Sequence, residues 1–129
     1  MRLLLDTQCW LWMRAAPERL APRTRRLLVD PANELLLSAA STWELAIKTA
    51  LGKVRLPTSL SEYVTSRMAE DGVVALPVHH AHALRVADLP LYHRDPFDRL
   101  LVAQAQVEGL SLLTADRHLQ RYDVTLIMA

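Results

Sequence analysis

Four acidic residues carry the chemistry this sequence suggests: Asp6, Glu44, Asp98 and Asp116. Brought to one site, four carboxylates repel one another and resist ionising together unless cations neutralise them. Hard divalent cations such as Mg2+ or Mn2+, bound through oxygen with waters retained, suit such a cluster. They activate water and stabilise the charge of an in-line displacement at a phosphodiester. Each acid also has an ordinary structural reading. Glu44 follows Ser41 by three residues, the spacing of a capping box, and can pair with Lys48 one turn on. Asp95 and Asp98 both sit where a helix dipole favours acids, with Asp95 the expected cap and Asp98 freer to face a ligand. Asp116 can cap a short helix after it. Asp6 has the weakest structural explanation, because a carboxylate ending an apolar strand needs a partner to offset its desolvation. What sets these four apart is where the chain must put them.

The clearest element is a helix from Pro96 to the stop at Gly109, with Asp95 as cap and Pro96 at a position where a missing N–H costs nothing. Its apolar positions leave only a narrow polar line through Arg99 and Gln106, so it is expected to be mostly buried. Leu110 to Leu113 then read as a strand, with Asp116 just beyond it. Leu3-Leu4-Leu5 is a continuous apolar run, as in a strand covered on both faces, and ends in Asp6. Helices are expected from about Gln8 to Arg14, from Pro22 with Leu27, Leu28 and Val29 inward, and from Ser41 to Leu51 with Trp43, Ile47, Ala50 and Leu51 as the apolar face. Others are expected from Ser59 to Glu70 and from His79 to Ala87. Further strands are expected at Glu34–Leu37, Val73–Leu76 and Val124–Ile127, and a short helix from Asp116 to Tyr122.

Strands alternating with helices argue for an α/β three-layer sandwich with a mostly parallel central sheet and right-handed crossovers. In such a sheet the C-terminal ends of strands and the N-termini of helices share one edge, where ligands bind. Asp6, Glu44, Asp98 and Asp116 all fall at that edge.

At 129 residues and 51% hydrophobic, the chain is expected to form one domain, residues 1–129, with a substantial core. The net charge of +1 gives no polyanion signal by itself, although 13 of the 15 basic residues are arginine, whose planar fork suits phosphate. A single cysteine, Cys9, permits no internal disulfide and fits a reducing cytoplasm. The apolar run at the start is broken by Asp6 too early for a signal peptide or membrane span, so a cytoplasmic protein is expected. Three glycines and no Walker-type loop speak against nucleotide binding.

Several segments resemble the PIN-domain family in order and spacing, specifically the VapC-like toxins of type II toxin-antitoxin systems. They are Leu3-Leu4-Leu5-Asp6-Thr7, Ser41-Thr42-Trp43-Glu44-Leu45-Ala46-Ile47-Lys48, His93-Arg94-Asp95-Pro96-Phe97-Asp98-Arg99-Leu100-Leu101 and Leu113-Thr114-Ala115-Asp116. The resemblance runs over essentially the whole chain, and Asp95-Pro96-Phe97-Asp98-Arg99 is its most specific part. It implies a Mg2+- or Mn2+-dependent ribonuclease with Asp6, Glu44, Asp98 and Asp116 as metal-binding and catalytic acids, an RNA substrate, a co-encoded VapB-like antitoxin partner, and a homodimer. Gln8 stands where the family often has histidine, which leaves the acids intact. The helix carrying Trp10, Leu11, Trp12 and Met13 holds more apolar area than one core stripe needs, which suggests an antitoxin contact.

Two other readings remain open on the residues alone. One is phosphoryl transfer with Asp6 as nucleophile, weakened because Gln8 replaces the second acid of an Asp-x-Asp pair. The other is a metal- or RNA-binding module without turnover. His79, His80 and His82 lack zinc-like spacing and are expected to pack or face solvent. His93 lies near the acidic edge and is left out of the catalytic set. Thr7 and Thr114 are expected to orient carboxylates from behind, or to serve as turn hydroxyls.

Overall fold

The computed structural model describes residues 1–129. Its strands are β1 (Arg2–Leu5), β2 (Glu34–Ser38), β3 (Val74–Leu76), β4 (Ser111–Thr114) and β5 (Leu126–Met128). Its α-helices are α1 (Thr7–Ala15), α2 (Pro22–Val29), α3 (Ala39–Ala50), α4 (Leu60–Asp71), α5 (His80–Asp88) and α6 (Pro96–Glu108). Every strand pairing is parallel, in the order β3-β2-β1-β4-β5. The order reverses at β1, so the crevice between neighbouring crossovers opens at the C-terminal ends of β1 and β4.

Alternation along the strands divides the core. Leu3, Leu5, Leu35 and Leu37 face the layer holding Trp10, Leu28, Leu45 and Tyr63. Leu4, Leu36 and Leu112 face the opposite layer with Leu101, Val102, Ala105 and Leu119. Successive strand residues point to opposite faces, so these continuous leucine runs satisfy two cores at once, the pattern expected of a sheet buried on both sides. The α/β three-layer sandwich follows directly from that arrangement.

Helix α6 begins and ends as the sequence indicates: Asp95 Oδ1 accepts hydrogen bonds from the N–H groups of Phe97 (2.8 Å) and Asp98 (3.2 Å). At the far end Gly109 adopts φ 66°, a left-handed stop that a side chain would strain.

Helix α3 departs from expectation. Strand β2 runs through to Ser38, whose Oγ caps the helix by accepting from the Ala40 N–H at 3.0 Å, so the helix starts earlier than Ser41. Ser41 therefore lies inside the first turn and Ser41/Glu44 is no capping box. The change of frame turns Ala40, Ser41, Glu44 and Leu45 inward and leaves Trp43 60%, Ile47 38% and Leu51 64% exposed, with Ala50 outward too, the opposite of the apolar face expected. Val29 is likewise 80% exposed at the end of α2, while Leu28 alone of that trio is fully inward. Asp116 is followed by a short 3-10 turn, Arg117–Arg121, which it caps through the His118 N–H.

Candidate functional site

The four acids line one open cleft of about 300 Å³, together with Thr7, Lys48 and Asp95. Each arrives by a different element. Asp6 follows β1, where its own N–H donates to the Leu113 carbonyl of β4 at 3.0 Å. Its Oδ1 accepts from the Cys9 N–H at 2.7 Å, so the residue caps α1 while it is held at the sheet edge. Glu44 projects from the buried stripe of α3 and is engaged on both oxygens. Thr7 Oγ1 donates to Oε1 at 2.6 Å and Lys48 Nζ to Oε2 at 2.7 Å. The orienting role expected of Thr7 is therefore seen as a direct contact. The carboxylate, through that hydrogen bond first and its charge second, raises the Lys48 pKa.

Asp98, in the first turn of α6, is half-buried, and its Oδ2 lies 3.5 Å from His93 Nε2. Burial first, then the negative charge of Asp95, pushes its carboxyl up to about 7; Asp6 and Asp116 add to the rise and His93 opposes it. Asp116 is treated differently. Burial alone would raise it, but hydrogen bonds from the His118 N–H, His93 and the His118 ring hold it below the usual carboxylate value. Its N–H donates to Thr114 Oγ1 at 3.1 Å, so Thr114 fixes the backbone of the acid that follows it. Two acids with opposite displacements in one cleft mark a site whose negative charge is unevenly compensated. Cys9 lies beneath it, buried, with its thiol pushed up first by burial and then by Asp6, which keeps it unreactive.

Asp95 also lines the cleft, but its Oδ1 is committed to two backbone N–H groups of α6. Asp95→Ala is expected to lower stability by about 1 kcal/mol, as for a lost cap, while leaving catalysis within a few-fold. Urea denaturation beside a cleavage assay reads both effects.

His93 is the residue that sequence reasoning set aside. Its Nε2 lies 2.7 Å from Asp116 Oδ2, and its Nδ1 accepts from the Asp95 N–H at 3.0 Å. The available signal was its place two residues before a cap, where a ring can fold back onto the cap's backbone. His118, which donates to Asp116 Oδ1 through its N–H at 2.9 Å, was not singled out at all. His82 by contrast is fully buried and bonds Glu108 at 2.8 Å, a packing histidine that ties α5 to α6.

The PIN domain family pattern matches residues 3–124 of this chain. Ribonuclease VapC22 of Mycobacterium tuberculosis is 30% identical over 121 residues, covering 93% of this chain and 91% of that protein. Ribonuclease VapC16 of the same organism is 48% identical over 59 residues; that match spans 46% of this chain and 42% of the relative. Among solved structures, VapBC2 from Rickettsia felis, bound to a DNA fragment from its promoter, superposes with a TM-score of 0.73 at 15% identity, over 99% of this chain and 98% of that one. FitAcB from Neisseria gonorrhoeae gives a TM-score of 0.63 at 22% identity, over 97% and 96% of the two chains. At such identities the superpositions establish a shared fold.

Proposed function

The chain belongs to the PIN-domain family, and on that premise we propose that it is a Mg2+- or Mn2+-dependent endoribonuclease that cuts single-stranded or loop RNA and serves as the toxin of a toxin-antitoxin pair. The observation that carries the reading is the convergence of Asp6, Glu44, Asp98 and Asp116 on one cleft at the sheet edge, where burial first and Asp95 next push the Asp98 carboxyl up to about 7. An acid held that high at the mouth of a parallel sheet is a site short of positive charge. The donor set fits a hard divalent cation: every cleft acid offers oxygen, and Asp6, Glu44, Asp98 and Asp116 are the residues that would hold it. When bound, such a cation supplies an acidified attacking water and offsets charge building on the phosphate.

The chain's own groups prepare the site. Cys9 N–H fixes Asp6, Thr7 and Lys48 fix Glu44, and the histidines fix Asp116, so three acids are held before substrate arrives. Lys48 Nζ brings a positive charge to the cleft wall, close enough for Asp95 and Asp98 to raise its pKa further. That charge favours entry of a phosphate into an otherwise acidic cleft. The open mouth suits unstacked RNA, whose backbone is accessible to in-line attack.

The named relatives are ribonucleases and the neighbouring folds include VapBC complexes, which supports a VapB-like antitoxin as partner; a homodimer is implied by the family resemblance alone. Trp10 is 0% exposed and packs edge-on to Tyr63, so it belongs to the core and is removed from the expected antitoxin contact. Trp12 remains partly accessible beneath the Arg19 guanidinium, 5.5 Å from its ring centre. No helix is long and apolar enough to cross a membrane.

The test is RNA turnover by purified protein with Mn2+, followed by EDTA. Cleavage should need the cation, stop on chelation and return when Mn2+ is restored. RNA binding without turnover would replace the enzyme by a binding module.

A further inference from the structure

His93 Nε2, Asp98 and Asp116 place ligand-capable atoms within 4.8 Å of one another, an arrangement that on distance alone describes a mixed nitrogen and oxygen cation site. Hydrogen-bond chemistry gives a different answer. The Asp95 backbone N–H donates to His93 Nδ1 at 3.0 Å. A backbone amide has only a hydrogen to offer, so Nδ1 must present its lone pair, and the neutral ring carries its single hydrogen on Nε2. That hydrogen points to Asp116 Oδ2 at 2.7 Å, with Asp98 Oδ2 at 3.5 Å. A metal-ligating histidine has the reverse arrangement, a lone pair toward the cation and an N–H held from behind.

We propose that His93 is a positioning residue of the acidic site: it donates its Nε2 hydrogen to Asp116, steadies Asp98 beside it, and is not a ligand. This inference rests on the cation reading given above. The main chain carrying the ring is also fixed, because the His93 backbone N–H donates at 3.0 Å to the hydroxyl of buried Tyr122. Asp116 is gripped from two sides, on Oδ1 by the His118 N–H and on Oδ2 by His93. A carboxylate oxygen has two lone pairs, so Oδ2 keeps one for a cation while the group can no longer rotate. The donated hydrogen also lies near both acids, where it offsets their mutual repulsion.

Three measurements test it. In metal-free protein, 15N-resolved imidazole NMR should find His93 as the Nε2–H tautomer. With Mn2+, electron spin-echo spectra of the wild type should lack a directly bound 14N. His93→Gln, which keeps an N–H donor, should bind Mn2+ within a few-fold of wild type, whereas His93→Ala should bind it about 10- to 100-fold more weakly, the range for lost outer-shell partners. An Nδ1–H tautomer, a 14N coupling to Mn2+, or equal affinities in the Ala and Gln variants would overturn the assignment. A wild type that binds no Mn2+ would overturn the cation reading and this role with it, and it is seen without any variant.

Discussion

Asp98→Asn is expected to lower RNA cleavage by about 10²- to 10³-fold, the scale for removing one electrostatic contributor to a phosphoryl or acyl transition state. Asparagine keeps the shape of the side chain, and the capping of α6 is untouched because Asp95 bonds the backbone N–H of residue 98 rather than its carboxylate. What disappears is the one cleft acid not already gripped by a short hydrogen bond, and so the one most available to a cation. Asp6→Asn should behave alike, since its Oδ1 can still accept from the Cys9 N–H and cap α1. Single-turnover cleavage at saturating Mn2+, with circular dichroism to verify the fold, reads the effect. A wild-type rate in either variant would remove that acid from the reaction.

How much of this was legible in the sequence depends on whether the signal was local. Helix α6 was readable to the residue because cap, proline and glycine stop all lie in the chain itself. The leucine runs 3–5 and 35–37 announced a doubly covered sheet because burial on both faces leaves no polar alternation to see. Helix α3 misled because it offers two serines, and the choice between them belongs to β2: pairing of Ser38 with Leu76 carries the strand up to Ser38 itself. Moving the start to Ala39 swings Trp43 outward and puts Glu44 in the second turn on the buried stripe, beside Thr7. The four acids were found from topology, which fixes where strands end. The histidine contacts were not, because what His93 does depends on which ring nitrogen meets the Asp95 N–H, a fact of three dimensions with no trace in spacing.

The same Asp98→Asn change is expected to raise the stability of the metal-free protein, and only above mildly acidic pH. The folded carboxyl is pushed up to about 7 from an ordinary 3.8, by burial first and by Asp95 next. Below pH 3.8 the group is protonated in both the folded and unfolded chain and contributes nothing to the difference. As pH rises toward 7, the unfolded chain releases this proton while the folded one keeps it, so the folded state loses stability step by step. Above 7 both forms are ionised and the penalty is complete. For a half-buried carboxylate, allowing for solvent screening, it amounts to about 2 kcal/mol. In a chain of this size that corresponds to roughly 5–10 °C in melting temperature. Asp116, whose carboxyl is held low, contributes with the opposite slope, but it does so in both proteins and largely cancels in their difference. Thermal melts in EDTA at pH 4, 6 and 8 should therefore show wild type and Asp98→Asn converging at the acidic end and separating toward the alkaline end, with the variant the more stable. Adding Mn2+ at pH 8 should raise the wild type well above its EDTA value and move the variant far less, because the charge that opposed folding is the charge that holds the cation. Parallel melting curves across the whole pH range would mean that Asp98 ionises normally, and the charge deficit on which the cation site rests would be gone.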